Sequence, residues 1–329
     1  MTSTTQLMFM NRAACRILVS VFITLLLAGC SIPDGGKAFR VEKDEASVCF
    51  YAGNSPEGGK PLVRYRYADV PFKSYVQEFR TPWGVNILRD SPHDHKHHHA
   101  LMLGLTVDEV NFWAEEKNCG KQVHREFADW IQDTQKGLQR AAVTDVVDWI
   151  NPADKKSVIH EYRTIETYRA KILGASLLTW NSQFELPADK SSASITGVRY
   201  YGLGVRFVQS MDVGGDFINA DGKTGVEGTN KDRSSWCAYK ALADGKPVTV
   251  AVFDYPKNVR HPATWFTMTE NFAYISATLD LPKNPVEVSA AEPLRLRYGL
   301  AVWDGHVESE TIDKLYKRWI ELPTTNPSK

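Results

Sequence analysis

The sequence predicts an all-β protein, a large antiparallel β-sandwich closed by a single C-terminal helix. Three observations carry this reading. About a dozen short stretches alternate apolar with polar residues or are rich in β-branched ones. Clusters of Gly, Pro, Asn and Asp separate them. Only one segment, near the C-terminus, repeats its apolar residues with the period of a helix.

In order along the chain, strands are expected over 48–51, 62–67, 141–149, 158–168, 177–186, 203–208, 248–253, 272–279 and 294–302. In the last, Leu294, Leu296, Tyr298, Leu300 and Val302 share one face, and Arg295 and Arg297 the other. Turns are expected at 53–59, 151–154, 244–245 and 281–285. The helix is expected over 308–322. Ile312, Leu315, Tyr316 and Trp319 form its apolar stripe, Glu308 and Glu310 open it, and Lys314, Lys317 and Arg318 lie toward its end.

Thirty-nine basic residues balance thirty-nine acidic ones, and no basic stripe appears, so nucleic acid is not an expected partner. No GxGxxG or GxxxxGK[ST] pattern occurs, so no nucleotide cofactor is expected. The 11% aromatic content suits a β core, or a surface on which sugars stack.

The N-terminus has the form of an export signal. Arg12 and Arg16 precede an apolar run over 17–27, shorter than the roughly 20 residues a membrane span needs. Leu27-Ala-Gly-Cys30 follows and resembles a lipobox. The expected organisation is a signal peptide over 1–29, a flexible tether over 30–43, one domain over 44–323 and a tail over 324–329. Acylation of Cys30 would hold the protein on a membrane, with the outer membrane facing the periplasm, or the cell surface, as its place. In such an oxidising compartment Cys49, Cys119 and Cys237 permit one disulfide and leave one thiol free, and the spacing does not choose the pair.

Five of the nine histidines stand at positions 93, 95, 97, 98 and 99. Imidazole both titrates near neutral pH and binds metals. On a strand His93, His95, His97 and His99 would share a face. On a helix His95 would meet His98 or His99. Pro92 and the apolar run after Ala100 favour a loop entering a strand, with His95 and His97 at one site. Three uses stay open: a divalent metal (Zn, Cu, Ni or Mn), metal-free catalysis or sugar binding, or plain solvated loop. For a metal, His95 and His97 would be completed by His124 or by His261, Glu115, Glu227 or Asp254. A second cluster follows the strand over 248–253. There Asp254, Asn258, Arg260 and His261 offer an orienting carboxylate, a planar cationic fork and a general acid or base. The plain alternative is that Asp254 and Asn258 bond turn backbone and Arg260 makes an ion pair. Glu227, Arg233 and Trp236 make a weaker third cluster. Trp113, Trp236 and Trp265 are candidate sugar platforms, although buried tryptophans more often pack a core. No Gly-x-Ser-x-Gly elbow and no conspicuous acidic pair appear, so neither a serine hydrolase nor a two-carboxylate glycosidase is indicated.

Four blocks resemble one family. They are 79–86 (Phe-Arg-Thr-Pro-Trp-Gly-Val-Asn) with 89–98, then 111–113 with Gly120 and His124, then 222–228 with 236–239, and finally 252–262 with Trp265 and 294–298. In order and spacing they are similar to the bacterial PmoA-like family, often labelled "methane oxygenase PmoA". The membrane subunit of methane monooxygenase is a bundle of transmembrane helices, and this chain has one short apolar segment, so that identity is excluded. The resemblance implies a secreted supersandwich similar to galactose mutarotases, from bacteria rich in polysaccharide-degrading systems. The family pattern Asp-His-x-His-His-Arg-Gly-Leu is matched by Asp94, His95, His97 and His98. His99 stands in place of the Arg and Ala100 in place of the Gly, which puts any ligand role of that Arg in doubt.

The expected function is that of an extracytoplasmic, carbohydrate-active enzyme of epimerase, lyase or hydrolase type. His95, His97, His98, His261 and Asp254 are the catalytic candidates. Arg260, Asn258, Trp113, Glu227, Arg233 and Trp265 are the substrate-binding candidates, and His95, His97 and His124 a hypothetical metal set. The rivals are a non-catalytic carbohydrate-binding lipoprotein and a periplasmic metal-binding protein. An alkane oxygenase, as the label would have it, ranks last.

Overall fold

The computed structural model describes residues 39–53, 59–135 and 137–323, except for the side chain of Lys171. The signal segment, Cys30, part of the 53–59 turn and the 324–329 tail lie outside these residues. The fold is the expected all-β antiparallel sandwich with one C-terminal helix. One sheet runs, in spatial order, Arg40–Lys43, Ser47–Tyr51, Val63–Arg66, Tyr75–Phe79, Leu101–Gly104, Gly202–Arg206, Tyr274–Thr278 and Thr264–Met268. The second runs Asp216–Asn219, Trp236–Ala243, Lys246–Asp254, Leu294–Asp304, Ser176–Glu185, Ser157–Arg169, Leu138–Ile150 and Lys121–Gln135. A small third sheet joins Val286–Ser289, Ser192–Thr196, Thr106–Val107 and Val110–Asn111. Among the described residues no helix is long and apolar enough to cross a membrane.

Period-two alternation places the core. Leu294, Leu296, Tyr298, Leu300 and Val302 face inward and pack with Val63, Tyr65, Leu101 and Leu203 of the opposite sheet. The reverse face of the same strand carries Ala301 and Trp303, which the helix Ser309–Ile320 covers with Ile312, Leu315, Tyr316 and Trp319. The helix therefore forms as its stripe predicts, with Glu310 in its first turn and Lys317 and Arg318 in its last. Asp244 and Gly245 both have positive φ, the conformation that a two-residue hairpin between Trp236–Ala243 and Lys246–Asp254 requires.

Three expectations are corrected. Arg40–Lys43 is not tether but an edge strand paired with Ser47–Tyr51. Lys121–Gln135, the longest strand of all, was not expected, because its run KQVHREFADWIQDTQ is too polar and irregular to read as β. It is an edge strand, mostly open to solvent, and needs apolar residues on one face only. Cys49, Cys119 and Cys237 are buried and unpaired, so the permitted disulfide is not formed. Cys49 lies on a strand of the first sheet and Cys237 on one of the second.

The two sheets are joined through a buried polar clamp. Arg163 and Glu161 are both fully buried. Arg163 Nε and Nη2 donate to Glu161 Oε1 and Oε2 at 2.9 and 2.6 Å. Trp149 Nε1 and Ser182 Oγ complete the carboxylate at 2.9 and 2.5 Å. The rest of the guanidinium reaches across the sandwich. Nη1 donates to the Ser74 carbonyl at 2.8 Å, and Nη2 to Gln122 Oε1 at 2.7 Å, while Gln122 Nε2 donates to the Leu103 carbonyl at 2.8 Å. Removing one charge strands the other in a dry core. Arg163→Leu is expected to cost about 3–5 kcal/mol by urea unfolding, and Arg163→Met with Glu161→Leu to recover most of it. A single-variant loss below about 1 kcal/mol would show that the clamp is not a structural tie.

Candidate functional site: the histidine loop

Residues 89–100 form a loop that enters the strand Leu101–Gly104, as expected. Backbone bonds fix it: Arg89 N to Arg206 O (3.0 Å), Ser91 N to His98 O (2.9 Å), His95 N to Pro92 O (3.0 Å) and His98 N to His95 O (2.9 Å). The loop lies against the outer face of the first sheet. Cross-strand register puts Met102, Gly204 and Ser276 in one row of that face, with Arg206 and Tyr274 in the next. Gly204 is required there, since a Cβ would collide with the Tyr274 hydroxyl, and a Cβ on Gly104 would come within 2.7 Å of the Trp113 ring.

His95, His97 and His98 are brought together. Ring centroids lie 4.7 Å apart for His95 and His98, 4.6 Å for His97 and His98, and 5.8 Å for His95 and His97. His98 is stacked between His95 and Tyr274, the latter at 5.3 Å, and is 6.0 Å from Trp113. Burial, and then the nearby His97, His95, Arg206 and Lys73, push the His98 pKa down to about 2. Burial and Lys73 also lower that of His97. His95 keeps an Asp94 carboxylate 3.0 Å from Nδ1 and is partly exposed.

Beneath them lies a charge relay of which the sequence reading singled out His99 and, as a possible metal completer, Glu115. His99 Nδ1 is 2.7 Å from Asp90 Oδ1 and its Nε2 is 2.9 Å from Glu115 Oε1. Lys73 is buried and donates to Glu115 at 2.7 Å and to the Trp113 carbonyl at 2.9 Å. Asp90 also accepts from Tyr75 Oη (2.7 Å) and Gln77 (2.9 Å). Burial opposes the charged form of His99, but the two carboxylates outweigh it and raise the pKa. The two carboxylates thus favour the protonated form of His99, which points inward at them. Ala100 has φ 49°, a conformation that glycine adopts more readily.

Among the polar atoms at this face that are buried without a hydrogen-bond partner are His98 Nδ1, Tyr274 Oη, Arg206 Nε and Ser276 Oγ. Arg206 lies over the Phe272 ring at 3.7 Å, and its Nη atoms are 3.6 and 4.0 Å from Asp212 and Asp94. Arg206, Tyr274 and Lys73 carry no motif and are recognisable only once the strands are in register.

The other sequence candidates lie elsewhere. His124 bonds Asp145 Oδ1 at 2.5 Å and packs with Tyr67 and Phe127, so the metal set His95, His97 and His124 is not assembled. Among the described residues no three His, Cys, Asp or Glu side chains converge to hold a metal. His261 and Asp254 do pair, at 2.7 Å, and Asn258 bonds both Asp254 and the Arg297 backbone. Burial raises the Asp254 pKa against these bonds. This pair is separate from the loop. His98 stacks on Tyr274 at one end of its strand, while His261 precedes Thr264, which pairs with Thr278 at the other end, about 13 Å of strand away. Arg260 does not face a ligand, because its guanidinium donates to the carbonyls of Leu279, Asp280, Asn284 and Pro285. Arg233 likewise holds the carbonyls of Arg260, His261 and Pro262. Trp265 is core, 1% exposed, and donates to Ser234 O. Trp236 is also core and donates to Asp313. Trp113 is 3% exposed and stacked on Tyr201, so it walls the site and offers no open platform. Glu227 is exposed on the short helix Gly225–Thr229.

Nitrogen-15 imidazole spectra test the opposite charges of neighbouring rings. At pH 7 His99 is expected to show the imidazolium pattern and His98 a neutral one. A raised folded pKa stabilises below the unfolded value, about 6.5, and the benefit fades as pH rises through the folded value. The stability lost in His99→Gln is therefore expected to be largest below about pH 6.5 and to shrink in alkali. A loss that grows with pH would contradict the relay.

Some solved structures are similar at low identity. An alpha-galactosidase from Lactobacillus brevis matches with 5% identity and a TM-score of 0.46, over 85% of this chain and 42% of that one. A GH36 alpha-galactosidase, AgaA, from Geobacillus stearothermophilus in complex with raffinose matches with 8% identity and a TM-score of 0.43, over 86% and 42%. YeaD of Salmonella typhimurium, provisionally described as a mutarotase, matches with 10% identity and a TM-score of 0.36, over 81% and 94%. This chain therefore spans less than half of each galactosidase, and at these scores neither ligand nor activity transfers. No curated protein matches. A family model does match, over residues 56–317, and by it the chain belongs to a family of unknown function, DUF6807.

Proposed function

We propose that this protein is an envelope lipoprotein, anchored through Cys30, that binds a carbohydrate at the histidine loop and moves a proton on it, as an epimerase or lyase does. The kinship to PmoA-like proteins and the mutarotase-like supersandwich belong to the same reading, and they rest on the four sequence blocks. The observation that carries the proposal is a trio of unpartnered buried atoms, His98 Nδ1, Tyr274 Oη and Arg206 Nε. Buried polar groups without partners are rare, and a hydroxylated ligand supplies both donors and acceptors.

The chemistry follows from the charges. Burial and the neighbouring cations hold His98 neutral, so it offers a ring nitrogen to a sugar hydroxyl, and the partly exposed His95 stacked on it is the base. Arg206, beside His98, stabilises the anion that proton removal leaves on the sugar. His95, with Asp94 on Nδ1, is placed to return a proton. Metal binding has less support, because the donors do not converge among the described residues.

His98→Ala is expected to weaken saccharide binding by at least tenfold in calorimetry and to abolish turnover. Saccharide binding that persists in His98→Ala while turnover is absent from the wild type would favour the non-catalytic binding protein. No binding across a broad glycan panel would remove the carbohydrate reading. The anchor is tested separately, with Cys30→Ser expected to abolish fatty-acid labelling and to release the protein from the membrane fraction.

A further inference from the structure

We infer that the outer face of the second sheet holds a separate binding site for an acidic saccharide, one that combines hydroxyl groups with a carboxylate. This inference does not depend on the histidine loop, which lies on the opposite outer face of the sandwich.

The helix Ser309–Ile320 covers only one end of this face, over Leu177, Ala301 and Trp303. Toward the other end the same face presents Asn181 beside Arg297 and Gln183 beside Arg295, in cross-strand register. The segments 255–259 and 286–296 wall it, leaving a cleft of about 590 Å³, within the range of small-molecule sites.

Asn181 is the informative residue. It lines the cleft, is 7% exposed, and neither its amide nitrogen nor its amide oxygen has a hydrogen-bond partner. Leaving both ends of a buried amide unmade is costly, because each group has given up its water without a replacement. Its neighbours do not relieve it. Gln183 is engaged by Arg295 at 3.0 Å and by Glu185 at 2.7 Å, and Arg297 N bonds Asn258. An amide needs a partner that both donates and accepts, as a hydroxyl does, whereas a carboxylate only accepts.

The charge of the cleft specifies the rest. Lys257, Arg295 and Arg297 line it, against Glu287 and Glu292. Glu287 already accepts from Ser194 Oγ at 2.6 Å. Lys257 and Arg295 are exposed and able to meet a carboxylate. Tyr255, held under the Arg297 guanidinium at 4.7 Å, supplies an aromatic wall. Amide, cations and aromatic wall together match a uronic-acid unit better than a neutral sugar.

Calorimetry with tri-galacturonate, and with galactose as the neutral control, tests the site on the mature chain. Tri-galacturonate is expected to bind saturably, at least tenfold tighter than galactose, and more weakly as salt rises. Asn181→Leu is expected to weaken it at least tenfold without loss of thermal stability, because an unmade amide is removed. Arg295→Glu, at an exposed position where folding is not at stake, is expected to weaken it similarly, while His98→Ala leaves it unchanged. Absence of saturable binding, equal binding of galactose, or binding that survives both Asn181→Leu and Arg295→Glu would overturn the inference. Loss in His98→Ala alone would place the acidic sugar at the histidine loop and overturn it equally.

Discussion

The Arg163–Glu161 pair is the constraint on which the site depends. Two opposite charges in a dry core are costly unless every lone pair and proton is engaged. Here Trp149, Ser182, Gln122 and the Ser74 carbonyl complete the set. Because Ser74 belongs to the opposite sheet, satisfying the guanidinium fixes the two sheets against each other. Ser74 lies between Lys73 and Tyr75, so the tie also sets those side chains on the outer face. Lys73 then holds Glu115, Tyr75 holds Asp90, and both carboxylates grip His99. A core ion pair thereby positions a surface loop by way of one strand.

This chain of contacts also accounts for the different states of adjacent histidines. His99 points inward between two carboxylates, which favour its charged form. His98 points to Tyr274 and sits near Lys73 and Arg206, which oppose a further positive charge, and burial opposes it more strongly. Placing one in an anionic pocket and the next in an apolar, cationic one separates their roles, as paired titratable groups in known active sites are separated.

The strands of the centre were legible because burial on one or both faces leaves a periodic or continuously apolar record, as over 294–302 and 248–253. The edge strand Lys121–Gln135 was not, since an edge exposed to solvent imposes little composition. The histidine loop was visible from composition and Pro92 alone. Its partners were not. Lys73, Asp90, Arg206 and Tyr274 come from separated segments, two of them strands, and meet only through the tertiary register, which no local pattern encodes. The same limit explains the misreading of Arg260 and Arg233. Both sit among Asn, Asp and His, as ligand-binding arginines do, and only the structure shows their donors spent on backbone carbonyls.

Those two arginines do have a part in the architecture. Arg260 fastens the 279–285 segment, and Arg233 fastens 260–262, so the loops beyond the strand ends are held by cationic forks bonded to backbone. Asn258 extends the same stitching to Arg297 in the second sheet. The wall of the cleft over Asn181 is thus made of chain whose polar groups are already engaged, while Asn181 itself is left unmade. A fold that pairs nearly everything around a position and leaves that position unpaired is organised to receive a partner there. The same contrast holds at the histidine loop, where a relay of paired charges underlies His98, Tyr274 and Arg206. The two faces differ in what they withhold. One leaves an imidazole, a phenol and a guanidinium nitrogen, and the other an amide among exposed cations.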